Sequence, residues 1–224
     1  MSRFTNRTDA GVRLAQVLAA CNLERPVVLA LPRGGVPVAA EVAVVLQAPL
    51  DLLIARKIGV PGQPELAMGA VAEGLSPEIV RNDTIIDLAG ISEDEFDAVL
   101  GHELAEIERR HERYIGARPR VNPAGCDVVL IDDGIATGAT IKAALRQVRA
   151  RGPRSVTLAV PVAPPAAVAA LRAEADRVIC LLIPDAFGAI GTFYDEFHQV
   201  RDEDVVELLS RFPPFAADST ASTD

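Results

Sequence analysis

Aromatic side chains are scarce in this chain of 224 residues, since they make up 4% of it and tryptophan is absent. A core with so few large rings must be built from Val, Leu, Ile and Ala, and hydrophobic residues account for 50% of the sequence. Such a composition is typical of buried parallel strands flanked by alanine-rich helices. The chain is long enough for one domain with a substantial core.

Cysteine is also rare, and the three residues (Cys21, Cys126 and Cys180) are far apart and lack the spacing of metal ligands. We interpret them as small buried side chains in a reducing cytoplasm. Basic residues are outnumbered by acidic ones, which gives a formal net charge of −9. Because a nucleic-acid-binding protein needs a basic face, this balance argues against nucleic acid as a partner.

Long hydrophobic runs are missing too. No apolar stretch approaches the roughly 18 residues of a membrane-spanning helix without a charge, Pro or Gly. The first residues, MSRFTNRTDAG, contain no apolar segment of the kind found in signal peptides. We therefore expect a cytoplasmic protein that has no membrane partner.

Short apolar runs, most of them separated by helical patterns, predict five buried strands. The predicted strands are 27–31, 50–56, 126–132, 155–162 and 176–183, and the predicted helices are 9–20, 35–47, 139–150, 164–175 and 202–212. This alternation indicates an α/β fold with an open, mainly parallel five-stranded sheet and helices on both faces. We assign residues 1–215 to this single domain and residues 216–224 to a disordered tail.

Two segments interrupt the alternation. Residues 57–66 are rich in Gly and Pro and are predicted to form a mobile loop, followed by a short returning strand, whereas residues 76–88 are ambiguous. Ser92 and Glu95 have the spacing of a capping box at the start of an inserted long helix, about residues 92–116. Its apolar positions share one face, so we expect this helix to cross the surface or to contact a partner subunit.

The most informative segment is residues 128–140, VVLIDDGIATGAT. Four apolar residues predict a strand, and Asp132 and Asp133 follow at its carboxyl end, where open α/β sheets bind ligands. A turn of small residues then leads into a helix, so backbone N–H groups and the helix N-terminus can hold an anion. Carboxylates accept hydrogen bonds from a vicinal diol. A phosphate site beside a diol site predicts binding of a ribose 5-phosphate group.

This segment resembles the signature of the type I phosphoribosyltransferases, which bind 5-phosphoribosyl 1-pyrophosphate (PRPP), and the whole pattern is closest to the predicted-phosphoribosyltransferase branch of that family. The resemblance covers roughly residues 25–200. It implies transfer of the phosphoribosyl group to a nitrogen of a base or related small-molecule acceptor, with release of pyrophosphate. It also implies Mg²⁺, bound through PRPP, and a homodimer, for which the long helix offers an interface.

The resemblance gives roles to individual positions. Asp132 and Asp133 would bind the ribose hydroxyls. No residue would bind Mg²⁺ directly, and Asp132 could contact the ion only through a water molecule. The 5-phosphate site would comprise Ala136, Thr137, Gly138, Ala139 and Thr140. Pyrophosphate would lie on the turn of Arg33, Gly34 and Gly35, which in this family often contains a non-proline cis peptide; an ordinary turn is the alternative. Arg33 and Lys57 would stabilise the departing pyrophosphate, unless Lys57 is only an exposed surface lysine.

Residues 184–200 correspond to the variable hood that holds the acceptor base in this family. Phe187, Phe193 and Tyr194 are candidates for stacking on the base, and a local hydrophobic cluster is the alternative. Two other functions remain open. A PRPP- or nucleotide-binding sensor would keep the ligand site without turnover, and a phosphoryl-sugar hydrolase would need a base, for which Glu65 is a candidate.

Overall fold

The computed structural model describes residues 3–213, so the tail predicted at 216–224 lies outside the described residues. The strands are β1 (Pro26–Ala30), β2 (Leu50–Leu52), β3 (Ala55–Val60), β4 (Gln63–Ala72), β5 (Glu78–Arg81), β6 (Asp127–Ile131), β7 (Ser155–Val162) and β8 (Arg177–Leu182). The helices are α1 (Arg7–Ala19), α2 (Gly35–Leu46), α3 (Asp83–Ala89), α4 (Glu93–Tyr114), α5 (Ala139–Ala150), α6 (Pro165–Leu171) and α7 (Asp202–Ser210).

The main sheet has five strands in the order β2-β1-β6-β7-β8, and every neighbouring pair is parallel. Val129 and Ile131 pack in the same cluster as residues of α1 and α2, whereas Val128 and Leu130 pack with residues of α5 and α6. Successive side chains of a strand point to opposite faces, so a strand covered on both faces must be apolar throughout. The predicted fold class is therefore confirmed.

The segment from residue 50 to residue 81 differs from the prediction. The single strand expected at 50–56 is two strands in different sheets, β2 and β3, separated by Leu53 and Ile54. β3, β4 and β5 form a second, antiparallel sheet. The segment 57–66 is therefore part of a hairpin rather than an irregular loop, and its turn contains Gly62 at φ +77°, a backbone angle that favours glycine. The ambiguous segment 76–88 supplies β5 and most of α3.

The inserted long helix is confirmed as α4, and the capping box at its start is formed in both directions. The apolar face of α4 is buried within the same chain, with Phe96, Ile107 and Tyr114 all nearly inaccessible. Arg56 on the hairpin donates from Nε to Glu103 of α4 at 2.6 Å. The hairpin and the core thus cover much of the apolar face of α4, while Leu104 remains partly exposed. Within the part of the chain that the structure describes, no helix is long and apolar enough to cross a membrane.

Candidate functional site

Two loops leave the carboxyl edge of the main sheet side by side. β1 and β6 are adjacent and parallel, with Ala30 opposite Ile131, so the loops that follow them begin at the same level. The N–H of Leu31 donates to the carbonyl of Ile131 at 2.9 Å. A Cβ added at Gly35 would lie 2.7 Å from that same carbonyl oxygen, so the close approach requires glycine. The predicted pyrophosphate turn and the predicted phosphate loop are therefore in contact.

The turn after β1 presents backbone donors. The peptide bond between Pro32 and Arg33 is cis. Among the described residues, the N–H groups of Arg33 and Gly34 have no acceptor, whereas the N–H of Gly35 donates to Leu31. A Cβ at Gly34 would overlap the carboxylate of Asp133 in the neighbouring loop. The turn thus offers two free N–H groups next to the acidic pair, an arrangement suited to an anion.

The loop after β6 presents more such donors. None of the backbone N–H groups of residues 136–140 has an acceptor in the described part of the chain. Gly138 adopts φ +84°, ψ 1°, and α5 begins directly after it without a side-chain cap. Ala136 and Thr137 are exposed. An uncapped helix N-terminus that follows a turn of free N–H groups has the donors to hold a phosphate-sized anion.

The two carboxylates lie between these anion sites, and their environments differ. Asp133 is buried, and its Oδ2 accepts from Nε of Arg7 at 2.8 Å. Asp132 is partly exposed, and its Oδ1 accepts from the N–H of Asp133 at 2.8 Å. Burial, and then the charge of Asp133, raise the pKa of Asp132 well above its usual range. Burial also raises the pKa of Asp133, against the opposing effect of Arg7.

The predicted hood aromatics are mostly buried. Phe193 and Tyr194 are almost inaccessible and pack with Phe4, while Phe187 is partly buried and stacks on Phe193 with 5.5 Å between ring centroids. This burial favours the alternative of a local hydrophobic cluster for Phe193 and Tyr194. The hydroxyl of Tyr194 donates to the carbonyl of Asp133 at 2.6 Å, and burial raises the pKa of that hydroxyl. Tyr194 therefore helps to fix the backbone of the acidic pair through this hydrogen bond.

Arg7 is the site residue that the sequence did not reveal. Besides Asp133, it donates from Nη1 to the carbonyl of His198 at 2.7 Å, and its guanidinium lies 3.8 Å from the ring centroid of Phe197. The segment before α1 is fixed against the hood, because the N–H of Phe4 donates to the carbonyl of Phe193 at 2.9 Å. A single arginine in the first turn of a helix belongs to no motif, so no sequence signal marked it.

The two predicted cationic residues are both held by carboxylates. Lys57 on β3 donates from Nζ to Oε2 of Glu65 at 2.8 Å. Ala55, two positions earlier in the same strand, packs against the cluster that includes Ala143 of α5, so side-chain alternation directs Lys57 toward that side of the hairpin. Arg33 donates from Nη1 to Oδ1 of Asp202 in α7 at 3.2 Å. Both charges are therefore already paired, that of Lys57 within the hairpin and that of Arg33 with α7.

Taken together, these features define an α/β protein with two adjacent anion sites and an acidic pair at the carboxyl edge of a parallel sheet. Residues 8–198 match the model of the family described as the phosphoribosyl transferase domain, and the chain belongs to that family. The resemblance seen in the sequence is thereby confirmed.

Individual relatives agree with this assignment. A Mycobacterium tuberculosis protein, present in two strains, is 49% identical over 215 residues, and its name gives phosphoribosyl transferase as a provisional assignment. The match covers 94% of this chain but 47% of the relative, so the chain spans about half the length of the curated relatives it matches. The crystal structure of TT1426 from Thermus thermophilus is 44% identical, with a TM-score of 0.80, and the match covers 94% of this chain and 99% of that one.

Proposed function

We propose that the chain transfers a 5-phosphoribosyl group from PRPP to a nitrogen of a base or related small-molecule acceptor and releases pyrophosphate. The observation that carries the proposal is the run of free N–H groups at residues 136–140 directly after Asp132 and Asp133. A phosphate cradle next to carboxylates suits a molecule in which a phosphate is close to a vicinal diol. Membership of the phosphoribosyl transferase family supports the same ligand.

The geometry supports unequal roles for the acidic pair. Asp133 is buried against Arg7 and Gly34, so its carboxylate serves to position the loop. Asp132 is partly exposed and forms no ion pair with the described residues, so we assign the ribose hydroxyls to it first. The 5-phosphate lies on residues 136–140, and the pyrophosphate lies on the free N–H groups of Arg33 and Gly34.

Magnesium fits this site as a companion of PRPP. No group of three or more His, Cys, Asp or Glu side chains among residues 3–213 is arranged to hold a metal ion alone. One partly exposed carboxylate, Asp132, suits an ion that is bound mainly by the phosphates of the ligand, directly or through water. When bound, the ion would neutralise negative charge on the pyrophosphate.

The residues of this chain then act by positioning and by charge. The bond between C1 and the pyrophosphate oxygen breaks with its electron pair on oxygen, and the acceptor nitrogen forms the new bond to C1. The N–H groups of Arg33 and Gly34, with Lys57, stabilise the charge that develops on the leaving group. Both reactants are held at one edge of the sheet, which removes much of the entropic barrier. No side chain is assigned as a general base.

The test is calorimetric titration with PRPP and Mg²⁺, followed by measurement of pyrophosphate release with a panel of nitrogenous bases. Thr137→Val, which removes a hydroxyl from the phosphate loop, should weaken binding of ribose 5-phosphate and leave binding of free pyrophosphate unchanged. Release that depends on one base supports the transferase and identifies its acceptor.

Other results would redirect the assignment. PRPP binding without pyrophosphate release for any base would favour a sensor. Pyrophosphate release that needs no added base, and that disappears in Glu65→Gln, would favour a hydrolase. Absence of PRPP binding would contradict the proposed site altogether.

A further inference from the structure

A cavity of about 760 Å³ lies between α4, the C-terminal half of α5 and the turn that joins β4 to β5. Leu53, Leu104 and Ile107 form an apolar wall, and Gln147 and Arg151 of α5 contribute polar groups. Pockets for small molecules commonly measure about 300–1,000 Å³ and combine an apolar lining with a few polar groups. The cavity has the size and the composition of a ligand site.

This cavity is separate from the phosphate loop. Ala139 begins α5 beside the phosphate loop, whereas Arg151 caps the opposite end of the helix. At about 1.5 Å of rise per residue, Arg151 lies about 18 Å along the helix axis from Ala139. A ligand held by Arg151 would therefore not reach the reacting atoms of PRPP.

The buried carboxylates near this cavity are already paired. Glu73, which is 8% exposed, accepts from Nη2 of Arg120 at 3.0 Å, and its other oxygen lies 2.9 Å from Nδ1 of His111. Arg120 also donates from Nε to the buried Asp51 at 2.9 Å. The other carboxylate of the lining, Glu108, is exposed on α4. The charge of Arg120 is thus matched by two carboxylates.

Arg151 differs from Arg120 in having no carboxylate partner among the described residues. Its Nη2 donates to the carbonyl of Val121 at 2.7 Å, and its other N–H groups have no acceptor in the described part of the chain. Burial, and then the charge of Arg120, lower the pKa of Arg151. The charges of Asp51 and Glu73 oppose this lowering, but both carboxylates pair directly with Arg120. A half-buried cation without an ion pair of its own is costly, so an anion placed beside Arg151 would be stabilising.

The mouth of the cavity carries an exposed apolar side chain. Leu75, in the turn between β4 and β5, is fully exposed, although the neighbouring Gly74 packs so tightly on Gln147 that a Cβ there would overlap the amide. The turn is therefore docked on α5 while Leu75 remains in solvent at the entrance. Because Leu75 also lines the cavity, it extends the apolar surface of the cavity to its entrance.

We propose that this cavity is a second ligand site, which takes a small organic anion with an apolar or planar body. The anionic group pairs with Arg151 and accepts from the amide of Gln147, and the body packs on Leu53, Leu104 and Ile107. Leu75 covers the entrance. The site does not depend on PRPP binding, so its test is independent of the transferase.

The test uses a matched pair of fluorescent probes, 8-anilinonaphthalene-1-sulfonate and its uncharged analogue N-phenyl-1-naphthylamine. The sulfonate should bind the folded chain saturably with one site. Arg151→Gln should weaken sulfonate binding about tenfold, since a hydrogen bond to a charged group is lost, and should leave the uncharged probe unchanged. Arg149→Gln is the control, because Arg149 is on the same helix but pairs with Asp176 and does not line the cavity.

A second variant tests the volume of the cavity. Ala150 lines it and is exposed, so Ala150→Phe should fold and should weaken both probes by occupying their space. If circular dichroism shows that Arg151→Gln does not fold, Ala150→Phe still tests whether the probes bind in the cavity. Equal sulfonate affinity in Arg151→Gln and Arg149→Gln, or unchanged binding in Ala150→Phe, would overturn the proposal. Sulfonate affinity could also fall as protein concentration increases, together with a rise in the molecular mass of the protein in solution. That result would mean that a second copy of the chain occupies the cavity, and it would also overturn the proposal.

Discussion

The guanidinium of Arg7 donates from Nε to Oδ2 of Asp133 at 2.8 Å, across 126 positions of sequence. Both side chains are largely buried, at 12% exposure each, and no other ion pair reaches the acidic pair within residues 3–213. The first residue of α1 therefore supplies the only cation that pairs with Asp132 or Asp133 among the described residues. The proposed ribose site depends on residues from the beginning, the middle and the end of the domain.

Arg7→Gln should destabilise the fold. Removing one partner of a buried ion pair leaves the other charge without compensation and costs about 3 kcal/mol. Arg3→Gln is the control, since Arg3 pairs with Asp195 on the surface and its loss should cost less than about 1 kcal/mol. Urea denaturation of both variants measures the difference. In an Asp133→Asn background the cost of Arg7→Gln should shrink, and an equal cost in both backgrounds would show that the pair is not the cause.

Asp132→Asn should make the fold more stable while it weakens PRPP binding. The pKa of Asp132 is raised in the folded chain above its unfolded value of about 3.9. A carboxyl group with a raised folded pKa costs nothing at low pH, where both states are protonated. It costs stability once pH exceeds the folded pKa, because the folded state then holds an unfavourable charge. Asparagine removes that cost.

We therefore expect the melting temperature of Asp132→Asn to rise by a few degrees at pH 7 and not at about pH 3, since about 1 kcal/mol shifts a domain of this size by about 2–4 °C. Calorimetric titration should show at least about tenfold weaker PRPP binding, because a charged acceptor is lost. A lower melting temperature at pH 7 would mean that the carboxylate stabilises the apo fold, contrary to the burial argument.

Gly34→Ala should damage both the site and the fold. The added Cβ would overlap the carboxylate of Asp133, so either the turn or the carboxylate must shift, at a cost of about 1–3 kcal/mol. Binding of free pyrophosphate should weaken as the N–H groups of the turn move. Gly101→Ala on α4 is the matched control, since its Cβ would meet nothing within 4 Å, and it should stabilise by about 1 kcal/mol. Similar pyrophosphate affinity in both variants would contradict the assignment of the turn.

The parts of the site that could be predicted are local in sequence. Residues 128–140 pass from a fully buried strand to a turn and a helix without interruption, so the order of residues predicted the turn that we propose as the phosphate loop. The contacts of Arg7 and Tyr194 with Asp133 join segments 126 and 61 positions apart, and only tertiary packing brings them together. Sequence reasoning therefore found the loop and missed the groups that hold it.

The second sheet was missed for a different reason. Gly59, Pro61, Gly62 and Pro64 are typical of irregular loops, yet Gly62 forms the tight turn of the β3–β4 hairpin and β4 is anchored by buried residues such as Met68. The apolar, buried residues of β4 are confined to its second half, so the pattern predicted only the returning strand. Packing of the hairpin on α4 and α5 overrides the local preference for a loop.

Lys57→Met should lower turnover more than it lowers PRPP affinity. In the apo chain Lys57 is paired with Glu65 across the hairpin, and we expect it to exchange that partner for the departing pyrophosphate. An interaction formed only in the transition state changes kcat and leaves ground-state binding almost intact, and the loss of one such donor costs about 100-fold. Steady-state kinetics with calorimetric PRPP titration separates the two quantities.

Lys142→Met is the matched control for Lys57→Met, because Lys142 is the only other lysine of the chain and pairs with Glu174 at 3.4 Å. Its loss should leave both kcat and affinity for PRPP unchanged.

Glu65→Gln should retain turnover, since it frees Lys57 without removing the positive charge of the lysine. A fall in PRPP affinity with unchanged kcat in Lys57→Met would assign Lys57 to ground-state binding, and no change in either quantity would make it a surface lysine. Turnover lost in Glu65→Gln but retained in Lys57→Met would move the chemistry from the lysine to the carboxylate.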